Sequence, residues 1–461
     1  MPLALTQSLC PVCLRLVDAA YHREDNTVVI RRSCPEHGTF EAPVWTEGRG
    51  MPSFEVWRRS MRIPAYPAHP ATEVRQGCPF DCGLCPDHVQ HTCTGLIEVT
   101  MRCSLGCPVC YAKSGAGAAD PSLEAVEKQM DALFRASGAC NVQLSGGEPT
   151  ERDDLPDIIR MARRKGFALV QVNTNGLRLG REEGYAQALK AAGLDSVYLQ
   201  FDGVDDDVYR TLRGRPLLQL KQAAVEACGR TGLGVVLVCT LVRGVNDAQT
   251  GDLLRYALKQ GSHVRGLHFQ PVSSFGRFPW ELSAAPRITL PELMAGLEQQ
   301  SRGMVKAEQF HAPSCEHPLC SFSAVYGRKV DGTLGDPLGA ACCSRGTSLA
   351  GEKPRVVDNA EGSRVSKAFT ATHWSSPGHP GESLNDAFSR FIAGSGADRR
   401  FTLSAMAFQD ALSLDVERVR GCCIHVVAPD GRLVPFCLYN LTSLDGFSLY
   451  RPAAAKDGDP S

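Results

Sequence analysis

Three cysteines in the run Ile97–Cys110 (IEVTMRCSLGCPVC) are the residues best placed to do chemistry: Cys103, Cys107 and Cys110, spaced C-x3-C-x2-C directly after an apolar stretch. Three thiolates can hold three irons of a [4Fe–4S] cube and leave the fourth iron open. An open iron can chelate the amino and carboxylate groups of a methionine moiety. An electron passed from the reduced cube into an adjacent sulfonium then breaks a C–S bond. A structural zinc loop is the competing use of the triplet.

Further motifs follow at the ends of successive expected strands. Gly146-Gly147-Glu148-Pro149 ends the second, Asn173-Thr174-Asn175-Gly176 the third and Gln200-Phe201-Asp202-Gly203 the fourth, while Thr240, Val242 and Asn246 lie in and after the fifth. Singly, each is an ordinary turn or cap. In this order behind the cysteine triplet they resemble the radical S-adenosylmethionine (SAM) enzymes. That resemblance implies that Cys103, Cys107 and Cys110 are catalytic and hold the cluster that yields a 5′-deoxyadenosyl radical. Gly146, Gly147 and Glu148 would bind the methionyl amino group, Asn173, Asn175, Gln200 and Asp202 the ribose and carboxylate, and the Thr240–Asn246 segment the adenine.

Twenty cysteines in 461 residues is a high count. The start, MPLALTQSLC, does not read as a signal peptide, so metal is expected rather than disulfides, in a reducing cytoplasm. Cys78, Cys82 and Cys85 repeat the triplet spacing, and Cys93 follows closely enough to close a fourth iron, which makes an auxiliary [4Fe–4S] cluster the expectation. His88 or His91 are other possible ligands, and zinc the alternative metal. Cys10-x2-Cys13-x20-Cys34-x2-His37 suits a tetrahedral site for one zinc or iron ion. Of the late cysteines Cys315, Cys320, Cys422, Cys423 and Cys437, four of the five are expected to hold another cluster. CCIHVVAPDGRLVPFC reads as a hairpin turning at Asp430-Gly431. Cys140, Cys228 and Cys239 read as core thiols, and Cys342 and Cys343 as outside any site. His268 reads as a satisfied polar group that can also line a substrate cavity.

The elements that must position these groups are expected as strands near 96–100, 142–145, 168–173, 197–202, 235–241 and 267–272, separated by helices. One helix should start after Asp120-Pro121, capped by that aspartate, with Leu123, Val126, Met130 and Leu133 on one face. Six βα units predict an α/β fold with a parallel sheet, open or curled into a partial barrel, and ligands at the carboxyl ends of its strands. We divide the chain into a metal-ribbon module at 1–45, a proline-rich auxiliary-cluster segment at 46–95, the barrel at 96–300 and a C-terminal auxiliary-cluster region at 301–461. Within the last, 345–400 reads as a long surface excursion and the tail after Tyr450 as disordered. The net charge of -1 argues against nucleic acid as a partner. No apolar run approaches the ~20 residues of a membrane helix. Peripheral membrane contact stays open.

Nearly the whole chain resembles one group more closely: the tetraether synthase-like radical SAM proteins, which include the hydroxymethylpterin dimethyltransferase-like class D methylases. The matching stretches are CPVC with CPEHG, GCPFDCGLCPDHVQHTC, LSGGEPT, FDGVDDDVYRTLRGR, FQPVSSFGR, CEHPLC and the run from AMAFQD to FCLYN. The resemblance implies a partial (β/α)6 TIM-like barrel, a rubredoxin- or zinc-ribbon-like N-terminal module and an iron–sulfur C-terminal extension. It also implies a low-potential electron donor and one of two reactions. Coupling of lipid chain ends through a new carbon–carbon bond is the first expectation, and methylation of a pterin or similar small molecule the alternative. A non-catalytic iron–sulfur electron carrier is the rival of another class. An apolar tunnel would favour lipid; a small pocket with convergent polar groups would favour a pterin.

Overall fold

The computed structural model describes residues 1–115, 119–281, 284–329, 332–338, 355–375 and 400–451. Cys342, Cys343 and the tail after Arg451 lie outside them. No helix among the described residues is long and apolar enough to cross a membrane.

The N-terminal module is a four-stranded antiparallel sheet in chain order: β1 (Ala4–Leu9), β2 (Leu16–Glu24), β3 (Thr27–Cys34) and β4 (Gly38–Thr46). Its alternating pattern buries Tyr21, Val28, Ile30 and Trp45. Buried Arg32 fastens the module to the C-terminal region by donating to the Ala411 and Leu412 carbonyls at 2.8 and 2.7 Å. After a helix at Phe54–Arg58 and strand β5 (Ser60–Ile63), residues 64–93 carry no regular element, in keeping with their prolines.

Six parallel strands form the centre of the molecule: β6 (Thr94–Thr100), β7 (Asn141–Gly146), β8 (Leu169–Thr174), β9 (Ser196–Gln200), β10 (Gly234–Leu241) and β11 (Val264–Pro271), paired in chain order. All six coincide with the expected strands. The helix Leu123–Ser137 is also present, burying Val126, Met130 and Leu133. Its cap differs from expectation. Ser122 accepts from the Ala125 amide, because Asp120 is drawn off by Arg102, whose Nε donates to it at 3.0 Å. Leu123 is left exposed.

The chain beyond 300 extends this sheet at both edges. Strand β12 (Ser321–Arg328) and β13 (Leu334–Pro337) continue one side through β15 (Arg400–Met406), which runs parallel to β11. On the other side β16 (Ile424–Val427) pairs parallel to β6, and β17 (Leu433–Pro435) returns antiparallel through the Asp430-Gly431 turn. The result is one eleven-stranded sheet. It curls until its two ends meet, since Cys315 before β12, Cys93 before β6 and Cys423 before β16 pack together.

The expected surface excursion is corrected for its described part. Strand β14 (Arg355–Asp358) pairs with β5, and the helix Asn359–Trp374 plugs the amino-terminal end of the barrel. Its fit is close: a Cβ on Gly234, at the start of β10, would sit 2.9 Å from the Ser375 backbone. Asp358 caps this helix by accepting from the Ala360 and Glu361 amides at 2.9 and 3.1 Å.

Candidate functional site

The barrel strands divide their side chains by the two-residue period of a strand. Leu144, Val172, Leu199, Leu237, Leu267 and Leu403 are fully buried. The residues alternating with them (Gln143, Asn173, Tyr198, Thr240, His268, Ser404) line an internal cavity of about 330 Å³. Polar side chains in the lumen bond to one another. Gln143 Nε2 donates to Gln171 Oε1 at 2.6 Å, Gln171 Nε2 to Ser196 Oγ at 3.0 Å and Asn173 Nδ2 to Gln143 Oε1 at 3.3 Å.

Cys103, Cys107 and Cys110 stand at the carboxyl-end mouth of this cavity, on the loop after β6. The loop is tied down by arginines. Arg277 Nε donates to the Cys107 carbonyl at 2.7 Å, and Arg213 Nη1 to the Val109 carbonyl at 2.8 Å. Burial pushes the Cys103 thiol up to about 11 and raises Cys107. A bound cation would keep such thiols ionised. All three cysteines border the open space of the cavity, and three thiols are the donor set that leaves one iron of a cube without a protein ligand.

The expected SAM-binding residues divide into two groups. Gly146, Gly147, Glu148, Asn173, Asn175 and Gln200 line the cavity beside the cysteines. Gly146 has φ +126°, and a Cβ there would meet the Thr100 carbonyl oxygen at 2.0 Å; one on Gly147 would meet that of Arg102 at 2.2 Å. Only glycines let the end of β7 pass so close to the cluster loop. Glu148 is buried, which raises its carboxyl. Its Oε1 accepts from Thr150 and Thr174 hydroxyls, both at 2.6 Å, and its Oε2 from the Asn175 amide at 2.6 Å. Asn173 Oδ1 has no hydrogen-bond partner among the described residues.

Asp202 and Asn246 are placed differently from expectation. Asp202 is wholly buried in a bidentate pair with Arg213, both bonds 2.8 Å. Asn246 spends both ends of its amide on backbone, donating to the Asp202 and Thr240 carbonyls and accepting from the Val242 amide, each at 2.8 Å. Both position the site from behind its wall. Arg213 itself lines the cavity and also donates to Thr240 Oγ1 at 2.9 Å. Lys221, held near pKa 8 by burial, donates to Gln200 Oε1 at 3.1 Å. Neither Arg213 nor Lys221 stood out in the sequence, because each sits on a helix several residues beyond the strand it serves. The polar strand residues were detectable as a period-two pattern inside otherwise apolar strands.

The other cysteines regroup. Cys10, Cys13, Cys34 and His37 converge as expected, with all ligand atoms within 4.8 Å. Cys13 Sγ lies 4.0 Å from Cys34 Sγ, and His37 Nδ1 lies 3.6 Å from Cys10 Sγ and 3.4 Å from Cys34 Sγ. Tetrahedral bonds of about 2.3 Å to sulfur and 2.0–2.1 Å to nitrogen require edges of roughly 3.8 and 3.6 Å, so the four residues fit a single ion. Hydrogen bonding to His37 lowers the Cys34 thiol to about 6.

Cys93 does not join Cys78, Cys82 and Cys85. Its sulfur lies with those of Cys315 and Cys423, all within 4.8 Å and all buried. The Cα atoms of Cys93 and Cys315 are 7.8 Å apart, wider than a relaxed disulfide accepts, so three thiolates around a metal suit the geometry better. Cys93 and Cys423 line the same cavity as the mouth cysteines. The late group therefore splits. Cys422 lies with Cys320 and Cys437 around a neighbouring void of about 30 Å³, whose wall Cys423 shares. There Arg418 Nε donates to Cys320 Sγ at 3.4 Å and the Gln409 amide to Cys437 Sγ at 3.3 Å, bonds of the kind that tune iron–sulfur centres. Cys78, Cys82 and Cys85 are buried. His88 Nε2 donates to the Cys422 carbonyl at 2.8 Å, which leaves Nδ1 as the nitrogen with the free lone pair. Cys140, Cys228 and Cys239 are fully buried.

Comparison with known proteins adds to this geometry. The model of the radical SAM superfamily matches residues 97–257, and that of the HMPTM N-terminal zinc ribbon domain matches residues 2–46. The chain is 34% identical to 7,8-dihydro-6-hydroxymethylpterin dimethyltransferase of Methanocaldococcus jannaschii, over 94% of this chain and 93% of that relative. GTP 3',8-cyclase of Paenarthrobacter nicotinovorans is 33% identical over 39% of this chain and 51% of its own, so the likeness spans about half of the cyclase. Streptococcus suis SuiB bound to precursor peptide SuiA aligns over 47% of this chain and 46% of that one, at a TM-score of 0.38 and 13% identity.

Proposed function

The chain belongs to the family of 7,8-dihydro-6-hydroxymethylpterin dimethyltransferase and is a radical SAM enzyme, and from that premise we propose that it methylates a carbon of a pterin-like substrate. The observation that carries this reading is the lumen of the barrel. A mainly apolar wall, with Val238, Val272, Phe275 and Phe369 in it, carries a few convergent amide, hydroxyl and imidazole groups around a closed-floored cavity of about 330 Å³, the kind of site that orients a small ligand through a few polar contacts. A lipid chain would leave Asn173 Oδ1, Trp374 Nε1 and Thr402 Oγ1, which have no partner among the described residues, unpaired at about 1–3 kcal/mol each. The cavity and the relative therefore favour methyl transfer over the coupling of lipid chain ends.

Cys103, Cys107 and Cys110 would hold a [4Fe–4S] cluster, which when reduced would supply the electron for cleavage of SAM to methionine and a 5′-deoxyadenosyl radical. The chain's own residues bind and orient. Glu148 Oε2 keeps a free lone pair beside the cysteines for the methionyl ammonium. Asn173 Oδ1 offers an unused acceptor. Asp202, through Arg213, fixes the loop that carries Cys110. Residues 1–45 serve as a metal-stapled module, 46–95 and 301–461 as the regions that bring auxiliary-cluster ligands to the barrel at 96–300. Cys93, Cys315 and Cys423 are proposed to hold one auxiliary centre, and Cys320, Cys422 and Cys437 with Cys78, Cys82 and Cys85 to supply ligands for the others. An external low-potential electron donor completes the system.

The test is anaerobic reconstitution with SAM, a reductant and 7,8-dihydro-6-hydroxymethylpterin, followed by mass spectrometry. Wild type should form 5′-deoxyadenosine and, with a one-carbon donor supplied, a pterin heavier by one or two CH2 units. Cys107→Ala should form neither. An unaltered pterin, together with coupling of chain ends when a lipid with free terminal methyl groups is supplied in a parallel reaction, would reinstate the coupling reaction. Absence of any SAM cleavage by wild type would favour an electron-transfer scaffold.

A further inference from the structure

The deep half of the cavity carries groups that SAM binding at the mouth does not use. Tyr198 from β9, His268 from β11 and Trp374 from the floor helix line it together. Their ring centroids lie 5.7, 5.8 and 6.2 Å apart, taken as the Tyr198–His268, Tyr198–Trp374 and His268–Trp374 pairs. Thr402, which belongs to the same wall, adds a hydroxyl. Neither Thr402 Oγ1 nor Trp374 Nε1 has a hydrogen-bond partner among the described residues. A buried N–H or hydroxyl without a partner is costly, and in native proteins such groups pair with ligand or ordered water. His268 is uncharged, since burial lowers it to about 3. Its Nδ1 pairs with Ser404 Oγ at 2.8 Å, which fixes the ring.

We infer that Tyr198, His268, Trp374 and Thr402 form the substrate-ring subsite, where a flat nitrogen heterocycle stacks on the aromatic corner and pairs with the Trp374 N–H and the Thr402 hydroxyl. The inference rests on the reading of the substrate as pterin-like and goes beyond it by naming the residues that select the ring. Three uncharged rings suit a neutral planar ligand, because stacking is tolerant of ring identity while the two polar atoms are not. The floor position also separates the ring from the SAM-binding turns at the mouth.

The experiment uses the reconstituted full chain without reductant, with 7,8-dihydro-6-hydroxymethylpterin as first probe and guanosine as second. Equilibrium dialysis gives the Kd, and quenching of tryptophan emission reports contact with Trp374. Iron content and circular dichroism confirm that variants are folded. Trp374→Leu should weaken pterin binding about tenfold or more, as expected when a ring loses its stacking partner, and should remove most of the quenching. Thr402→Val, nearly isosteric, should weaken it about fivefold through one lost hydrogen bond. Unchanged Kd values in both variants, with pterin bound by wild type, would overturn the subsite while leaving the proposed reaction standing. Binding of guanosine but not pterin, lost in Trp374→Leu, would uphold the subsite and overturn the pterin reading. No binding of either probe by wild type would overturn both.

Discussion

Removing the guanidinium of Arg213 tests whether the buried pair behind the SAM site holds the cluster loop in place. Arg213 and Asp202 have side-chain exposures of 4% and 0%. The guanidinium makes two bonds of 2.8 Å to Asp202, one of 2.9 Å to Thr240 Oγ1 and one of 2.8 Å to the Val109 carbonyl. In Arg213→Met the Asp202 carboxylate keeps only the Thr240 amide, at 3.0 Å. Breaking a buried pair from one side costs about 3–5 kcal/mol, and the lost bond to Val109 adds about 1 kcal/mol. Against a total stability of roughly 5–15 kcal/mol, that is a large fraction. Asp202→Asn should cost nearly as much, because it strands a buried cation. The double variant should cost less than the sum of the two by at least about 2 kcal/mol, since neither charge is then left alone. Anaerobic urea unfolding of the four proteins, followed by circular dichroism, closes the cycle. Additivity within about 0.5 kcal/mol would refute the argument that the pair acts as a unit.

Three further outcomes follow from the same physics. His373 donates from Nδ1 to the Phe369 carbonyl and accepts at Nε2 from Arg400, each at 2.9 Å, and burial lowers it to about 3. Its folded value lies below the ordinary 6.5, so the unfolded chain binds the extra proton. Stability is therefore lost as pH falls below 6.5, by about 1.4 kcal/mol per unit, and His373→Gln should flatten the slope of unfolding free energy between pH 6.5 and 5 by that amount. An unchanged slope would mean that His373 titrates normally. Gly146→Ala should abolish 5′-deoxyadenosine formation, because its Cβ would meet the Thr100 oxygen at 2.0 Å; wild-type turnover in that variant would show that the turn relaxes freely. Cys34→Ser should remove one equivalent of metal by elemental analysis and leave the iron–sulfur absorbance intact; loss of the absorbance as well would show that the N-terminal site supports the clusters.

The sequence by itself determined whatever depends on residues close together in the chain. The Cys103, Cys107 and Cys110 triplet, the GGEP turn, the Cys10–His37 ligand set and the Asp430-Gly431 hairpin are local patterns, and each lies where its spacing required. The six barrel strands were equally legible, because a buried parallel strand is a continuous apolar run bounded by turns. Tertiary structure decided the pairing of distant groups. Cys93 lies near Cys85 in the chain but packs with Cys315 and Cys423, because the curled sheet brings its two edges together there. Asp202 reads as a ligand to SAM until Arg213 reaches it from a neighbouring helix. The helix Asn359–Trp374 lies in a stretch whose composition suggested surface, and it becomes the floor of the cavity through contacts with strands more than a hundred residues earlier. Period and spacing carry no information on such contacts, whose free energy exists only once the sheet has curled.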